Sequence, residues 1–221
     1  MRFTQPSAAR QLNRLRVLNL LASKEGLSRA DVSRVLGLNK VSTGEIVDLL
    51  IGEEMVAETG TRTTTAGRRP VSLELNKDRK MVLAMDIGTR NTSVALVNLA
   101  GEMLRYERFP TAREPAPEQM AATIIQSTTK FLSRMKDPSA VSALAVSIPG
   151  VVDSATGTIL SAPQWNWESV PLSIALSKHL PFPVMVENNV RSMVFGERWF
   201  AEISVKTNYF YVNWGEHIGA A

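Results

Sequence analysis

Cysteine is missing from this sequence of 221 residues, which excludes disulfide bonds and cysteine-ligated zinc within the chain. Only two histidines occur, His179 and His217, and their separation argues against a metal site in the chain. Long apolar runs are missing too: the longest, around 81–85 and 141–152, fall far short of the ~20 residues that cross a bilayer. These absences predict a cytoplasmic protein with no membrane partner and no metal.

Positive charge is concentrated in the first third of the chain. Residues 1–80 hold 14 Lys and Arg against 9 Asp and Glu, a net charge of +5. Residues 81–221 hold 11 against 12, a net charge of −1. A basic segment of this kind is typical of a part that meets a polyanion. A solvated basic face without a partner is the alternative, and charge alone does not separate the two.

The basic segment has the pattern of three helices. Leucines recur at helical spacing over residues 8–21, and Ser28 followed by Asp31 resembles a capping box that starts a second helix. A turn at Gly37 follows, and Asn39 is a favoured N-cap for a third helix. This order predicts a helix-turn-helix. Another kind of small three-helix bundle is the alternative.

Two short alternating segments, 55–59 and 71–75, come directly after the third helix and predict an antiparallel hairpin. A polar, arginine-bearing hairpin in this position is a wing, and guanidinium groups suit the narrow minor groove of A·T-rich DNA. We therefore predict that basic and hydroxyl side chains of the helices and the wing contact double-stranded DNA. These residues are Arg29, Lys40, Ser42, Thr43, Arg62, Arg68 and Arg69.

The pattern changes after a charged linker at 77–80. Several strand-like segments precede a long amphipathic helix at 117–135, after which strands and helices alternate. This order predicts an α+β or α/β architecture, a mixed sheet with helices on its faces. We therefore divide the chain into a winged helix-turn-helix DNA-binding domain at 1–76, the linker, and a mixed-sheet lobe at 81–221.

Five motifs then occur in a characteristic order: GRRP at 67–70, DIG at 86–88, SIPGVVD at 147–153, ENN at 187–189 and GEHIGA at 215–220. None is specific alone, but their order and spacing over nearly the whole chain resemble the ROK family of repressors, open reading frames and kinases. The resemblance implies an actin-like (ribonuclease H-like) sugar kinase fold. It also implies a phosphate turn at the second and fifth motifs and a sugar pocket at the third and fourth.

The resemblance further implies what the asparagine pair does. In ROK kinases an aspartate after the sugar-binding asparagine is the base that deprotonates the attacking hydroxyl. Asn189 holds that position here and cannot accept the proton, so no catalytic residue is predicted. Asn188 and Asn189 can both hydrogen-bond a sugar hydroxyl, and with Gly150 they form the predicted sugar site. A simple N-cap of the following helix is the alternative role of this pair.

Both implied phosphate turns depart from the form found in the kinases. In the first, Thr89 and Arg90 take the places of a glycine and a threonine. In the second, Glu216 would repel phosphate, and His217 is bulky where a glycine is expected. The residues assigned to these degenerate turns are Asp86, Gly88, Thr89, Gly215 and Gly219. Phosphoryl transfer is therefore not expected.

The resemblance thus predicts a sugar-responsive transcriptional repressor without kinase activity. Its expected partners are double-stranded operator DNA, a small sugar or sugar-phosphate effector, and a second copy of the chain in a homodimer. The family's second lobe, with its cysteine-rich zinc site, is not in this sequence, so the lobe is expected to be truncated and no cofactor is expected in the chain. A ROK sugar kinase with a DNA-binding domain and a truncated, non-functional remnant are the alternatives.

Overall fold

The computed structural model describes residues 6–61, 71–200, 210–214 and 218–221. The chain divides into two compact units: Met1–Lys80 with Asn98–Glu102 (unit 1), and Met81–Val97 with Met103–Ala221 (unit 2).

The turn at Asn98–Glu102 differs from the sequence-based division, which assigned it to the mixed-sheet lobe. The N–H of Leu99 donates to the carbonyl of Lys77 at 2.9 Å, and the ammonium of Lys77 pairs with Glu102 at 2.8 Å. These two bonds connect the turn to unit 1.

Unit 1 consists of three helices and a small antiparallel sheet. The helices are α1 (Pro6–Ser23), α2 (Arg29–Leu36) and α3 (Lys40–Gly52). The strands are β1 (Leu27–Ser28), β2 (Val56–Thr61) and β3 (Val71–Leu75), in the order β1-β3-β2.

Local hydrogen bonds explain where α2 and α3 begin. The hydroxyl of Ser28 accepts the N–H of Asp31 at 3.2 Å, and the Asp31 carboxylate accepts the N–H of Ser28 at 3.1 Å. The predicted capping box is therefore confirmed. Gly37, with φ +64°, ends α2 in the left-handed conformation, and Asn39 caps α3 by accepting the N–H of Ser42 at 2.7 Å.

The hydrogen bonds from the Ser28 side chain and backbone also lower the pKa of the Asp31 carboxyl from its ordinary value of 3.8. A lowered pKa means that the carboxylate stabilises unit 1 above this value, and that its contribution is lost as the pH falls through the lowered pKa.

Unit 2 is built on a mixed five-stranded sheet, as predicted. Its strands are β4 (Met81–Ile87), β5 (Asn91–Asn98), β6 (Met103–Pro110), β7 (Val141–Ile148) and β11 (Val184–Asn188), in the order β11-β7-β4-β5-β6. β7 runs parallel to both β4 and β11, and β5 pairs with β6 antiparallel.

Smaller elements surround this main sheet. β8 (Val151–Asp153), β9 (Thr158–Ala162) and β10 (Trp167–Val170) form a three-stranded antiparallel sheet, and β12 (Val212–Trp214) pairs with β13 (Ile218–Ala220). The helices are α4 (Pro117–Leu132), α5 (Leu172–Ser177) and α6 (Asn189–Phe200).

Strand alternation directs one side of the main sheet into the core of unit 2. Leu83, Leu144 and Ile148 are fully buried on that side, together with Ile124 and Phe131 of α4. The parallel pairing of β7 with β11 brings the carboxyl ends of both strands to one edge of the sheet, where ligands of α/β proteins often bind.

We expect Ser28→Ala to lower the free energy of unfolding of unit 1 by about 1 kcal/mol, because the first turn of α2 loses a cap. All four tryptophans lie at or beyond residue 165, so tryptophan fluorescence does not report on unit 1. The unfolding of unit 1 in urea is therefore measured by far-UV circular dichroism. Ser23→Ala is the control, because Ser23 is exposed and its hydroxyl donates to the backbone carbonyl of Leu20 in the same helix. Equal effects of the two substitutions would contradict a stabilising capping box.

Candidate functional site

The predicted sugar residues meet where β11 ends and α6 begins. Asn188 is the last residue of β11 and lies opposite Ile148 at the end of β7. Its side-chain amide donates to the carbonyl of Gly150 at 2.7 Å. Asn189 is the first residue of α6. The structure therefore brings Gly150, Asn188 and Asn189 together.

Asn188 combines the two roles that the sequence left open. Its side-chain oxygen accepts the N–H of Arg191 at 3.0 Å, which caps the first turn of α6, while its amide holds Gly150. A carboxamide has a second N–H and a second lone pair. Capping is therefore compatible with contact to a ligand hydroxyl.

Both the backbone conformation at position 150 and the atoms packed around it require a glycine. Its φ of +126° lies in the region that favours glycine, and an added Cβ would come within 2.5 Å of the carbonyl oxygen of Ser161. The adjacent carbonyl of Pro149 accepts the amide of Gln164 at 3.0 Å. The turn after β7 is thus fixed against β9 and the residues that follow it.

A cavity of about 440 Å³ opens at this turn. Its polar lining consists of carboxamides and a hydroxyl, those of Gln164, Asn188, Asn189, Asn213 and Thr89, and none of the described lining residues is ionisable. We call it the amide-lined cavity. Side chains that both donate and accept, without charge, suit a neutral ligand rich in hydroxyl groups.

Asn189 also borders a second cavity, of about 720 Å³. Its other walls include Ala84, Ala95, Met185 and Phe195, from the main sheet and α6. Polar groups such as those of Asp86, Ser147 and Glu187 also line it, but Gly150 and Asn188 of the predicted sugar site border the amide-lined cavity and not this one. The amide-lined cavity is the better candidate for sugar binding.

The first predicted phosphate turn joins β4 to β5. The N–H of Gly88 donates to the carbonyl of Asn91 at 2.9 Å, and the carboxylate of Asp86 accepts the hydroxyl of Ser147. Thr89 of this turn lines the amide-lined cavity.

The second predicted phosphate turn is described only in part. Gly219 of β13 lines the amide-lined cavity, and an added Cβ there would come within 2.4 Å of a Val190 methyl group. Gly215, like Glu216 and His217, lies outside the described residues. A phosphate-binding or degenerate role for these turns stays a prediction.

Two polar side chains of the amide-lined cavity were not predicted from the sequence: those of Gln164 and Asn213. Gln164 directly follows Pro163, and its contact with the carbonyl of Pro149, 15 residues earlier, could not be seen in the sequence. Asn213 gave no signal, because β12 is distant in sequence from the other residues that line the cavity, apart from Gly219.

Within the described ranges, no three His, Asp or Glu side chains are grouped so as to hold a metal ion. The helices of those same ranges include none that is both long and apolar enough to cross a membrane.

The predicted DNA contacts on α3 are only partly accessible. Lys40 is exposed and Ser42 is half-buried at the start of the helix. Thr43 is 1% exposed, and its hydroxyl donates to the carbonyl of Asn39 at 2.9 Å. The prediction that Thr43 contacts DNA is therefore wrong: the side chain packs into unit 1 and braces the turn before α3.

Arg29 is held within unit 1 by two carboxylates. Its guanidinium pairs with Asp48 of α3 at 2.6 Å and with Glu58 of β2 at 2.9 Å. A DNA contact by Arg29 stays a prediction, and a phosphate would have to compete with both carboxylates. Arg62, Arg68 and Arg69 of the predicted wing lie outside the described residues.

Comparison with known proteins defines the class to which this fold and site belong. The family described as the ROK family matches residues 82–221, so the chain belongs to the ROK family.

Two curated relatives are xylose repressors. The chain is 28% identical over 212 residues to that of Caldicellulosiruptor bescii, covering 96% of this chain and 53% of the relative. It is 26% identical over 211 residues to that of Bacillus subtilis, covering 95% and 54%. The chain thus spans about half the length of the curated relatives it matches.

Solved structures agree with the family. A ROK family transcriptional regulator, described as a homolog of the Escherichia coli MLC protein, matches with a TM-score of 0.71 and 26% identity, covering 87% of this chain and 49% of its own. The inorganic polyphosphate/ATP-glucomannokinase of an Arthrobacter strain matches with a TM-score of 0.57 and 26% identity, covering 64% and 57%. The predicted ROK-type sugar kinase fold with a mixed sheet is confirmed.

We expect Gly150→Ala to destabilise unit 2 by at least about 2 kcal/mol, because alanine adds backbone strain and a clash with the Ser161 carbonyl. Tryptophan fluorescence during urea unfolding reports on unit 2. Gly196→Ala in α6 is the matched control, since a Cβ there meets nothing within 4 Å. A Gly150→Ala protein as stable as this control would show that the turn tolerates a side chain.

Proposed function

We propose that this chain is the DNA-binding and sugar-sensing part of a transcriptional repressor and that it does not transfer phosphate. Unit 1 supports the first half of this proposal. Its order, with α2, a glycine turn, α3 and then the β2–β3 pair, is that of a winged helix-turn-helix. The net charge of +5 over residues 1–80 suits a polyanion, and xylose repressors match along nearly all of the chain.

The observation that carries the second half is the amide at position 189. Asn189 lies beside the Pro-Gly turn, where the kinase relatives implied by the resemblance have a carboxylate base, and an amide does not accept a proton at neutral pH. Its side-chain oxygen already accepts the N–H of Val190 at 2.9 Å. Phosphoryl transfer needs a group that takes the proton of the attacking hydroxyl.

Glu187, two residues before Asn189 in the sequence, does not replace the missing base. Glu187 accepts the N–H of Asn188 at 2.7 Å and faces Arg191 at 3.4 Å. It lines the larger, mainly apolar cavity and is not part of the amide-lined cavity. The amide-lined cavity therefore supports recognition without catalysis.

The effector is an uncharged sugar. Amide and hydroxyl groups line the amide-lined cavity, and no described lining residue offers the positive charge that a sugar phosphate would require. A neutral pentose or hexose fits this chemistry better than a phosphorylated sugar. Sugar binding changes the DNA affinity to the extent that the sugar prefers one of two states of the protein.

The repressor acts as a homodimer on paired half-sites. Closed two-fold symmetry is the commonest arrangement of homo-oligomers, and helix-turn-helix dimers bind half-sites about one helical turn of DNA apart. Each half-site would then meet one α3 and one wing.

We expect Arg68→Ala with Arg69→Ala to weaken binding to A·T-flanked duplexes and to flatten the dependence of log K on log salt by about 1 to 2 units. The physical reason is the loss of two phosphate-neutralising charges. Fluorescence anisotropy at several salt concentrations measures both changes. Lys136→Ala with Lys178→Ala removes two exposed charges from unit 2 and should leave the slope unchanged. The wing proposal fails if both pairs behave alike.

We expect neutral sugars, and not their phosphates, to raise the thermal midpoint of unit 2, since a ligand that binds only the folded state stabilises it. A panel of pentoses and hexoses with fluorescence detection tests this. Asn213→Ala should abolish the shift, because Asn213 lines the amide-lined cavity. The same panel in an ADP-release assay should give no turnover. Turnover that persists through purification and disappears in Asn189→Ala would favour a kinase.

A further inference from the structure

The third helix has two opposite faces. Residues three and four apart lie on the same side of a helix, and the stripe of Thr43, Ile46, Val47 and Leu50 is buried in unit 1. The opposite stripe runs from Val41 through Gly44 and Glu45 to Asp48. Its three side chains are exposed, whereas Gly44 is half-buried and its carbonyl accepts the guanidinium of Arg29 at 3.4 Å. We call these four residues the outward stripe.

The contacts of Gly44 within the described residues do not require a glycine, because the guanidinium of Arg29 bonds to its backbone carbonyl, which any residue supplies. Glycine inside a helix costs about 1 kcal/mol relative to alanine. Gly44 does not have a left-handed φ, and an added Cβ would meet nothing within 4 Å. Neither a turn nor close packing inside unit 1 therefore requires a glycine here.

The side chains on either side of Gly44 are unlike those that hold phosphate. Val41 is 73% exposed, although it is apolar. Glu45 is exposed and has no hydrogen bond or ion pair among the described residues. One turn further, the carboxylate of Asp48 is tied to Arg29 at 2.6 Å. Within the described ranges, Glu45 is thus the carboxylate of the outward stripe that has no partner.

We propose that Gly44 is the point at which α3 comes closest to the base edges of the DNA major groove, and that Val41 and Glu45 read the bases beside it. This inference rests on the proposed DNA-binding function. Val41 contacts the methyl group of a thymine, and Glu45 accepts from the N4 amino group of a cytosine. The absence of a side chain at Gly44 lets the backbone approach between them.

Charge determines the orientation of this contact. A carboxylate is repelled by phosphate, so Glu45 lies over base edges and away from the DNA backbone. Lys40, exposed at the first position of α3, lies at the end of the outward stripe where a phosphate can be met. Affinity and base selection then come from different residues of one helix.

The experiment compares Gly44→Ala with Gly52→Ala in the whole chain. Both glycines lie in α3, and an added Cβ meets nothing within 4 Å at either position. A pool of duplexes with a randomised core is first selected on the unmodified chain. On the strongest selected site, Gly44→Ala should bind roughly tenfold more weakly, in the range of losing one base-pair contact. Gly52→Ala should bind as the unmodified chain does, and neither variant should melt at a lower temperature.

Deoxyuridine tests the role of Val41, because it lacks only the methyl group of thymine. Replacing one thymine of the selected site should weaken binding of the unmodified chain by about fourfold, the worth of one methyl group. Val41→Ala should remove this sensitivity, whereas Leu49→Ala, a second exposed apolar residue of α3, should keep it. A double-mutant comparison of protein and DNA changes isolates the contact.

The outcomes separate the inference from the function on which it rests. If no duplex is bound in a salt-dependent manner, the DNA-binding function itself is wrong. The base-reading role of the outward stripe is overturned if a site is selected but Gly44→Ala binds it as well as Gly52→Ala. It is also overturned if deoxyuridine weakens the binding of the Val41→Ala and unmodified chains equally. In both cases the DNA-binding function stands.

Discussion

The hydrogen bond from the side-chain amide of Asn188 to the carbonyl of Gly150, 2.7 Å long, determines how unit 2 presents its site. It joins the ends of two parallel strands, β7 and β11, and so fixes the Pro-Gly turn relative to the first turn of α6. The same side chain caps that helix by accepting from Arg191. A glycine is needed opposite it, because the turn runs against the carbonyl of Ser161. The amide-lined cavity lies where these constraints meet.

Amides preserve geometry while removing acid–base chemistry. An asparagine has nearly the shape of an aspartate, so Asn189 can occupy the position of a base and still hydrogen-bond a hydroxyl group. What it loses is the ability to take the proton. On the proposed function, this chain of the ROK family keeps the pocket of a sugar kinase and uses the free energy of sugar binding to shift a conformational equilibrium.

Local features of the fold could be predicted from the sequence, whereas contacts between distant segments could not. Ser28, Asp31 and Asn39 act on peptide groups within three residues of themselves, so the starts of α2 and α3 were readable. The prediction for Thr43 was wrong because it rested only on the position of this residue in the first turn of α3. The 3.6-residue period of the helix places Thr43 on the same side as the buried Ile46, Val47 and Leu50. Arg29 was predicted from its charge alone, and its two carboxylate partners come from α3 and β2.

The side chain of Asn188 makes two hydrogen bonds, one to the carbonyl of Gly150 and one from the N–H of Arg191. A hydroxyl group that draws on the same carboxamide competes with, or reinforces, the bonds that define the first turn of α6. On the proposed function, occupancy of the amide-lined cavity would change the hydrogen bond that the backbone N–H of Arg191 donates to Asn188. The proposed sugar response would therefore act on the first turn of α6 through neutral hydrogen bonds alone.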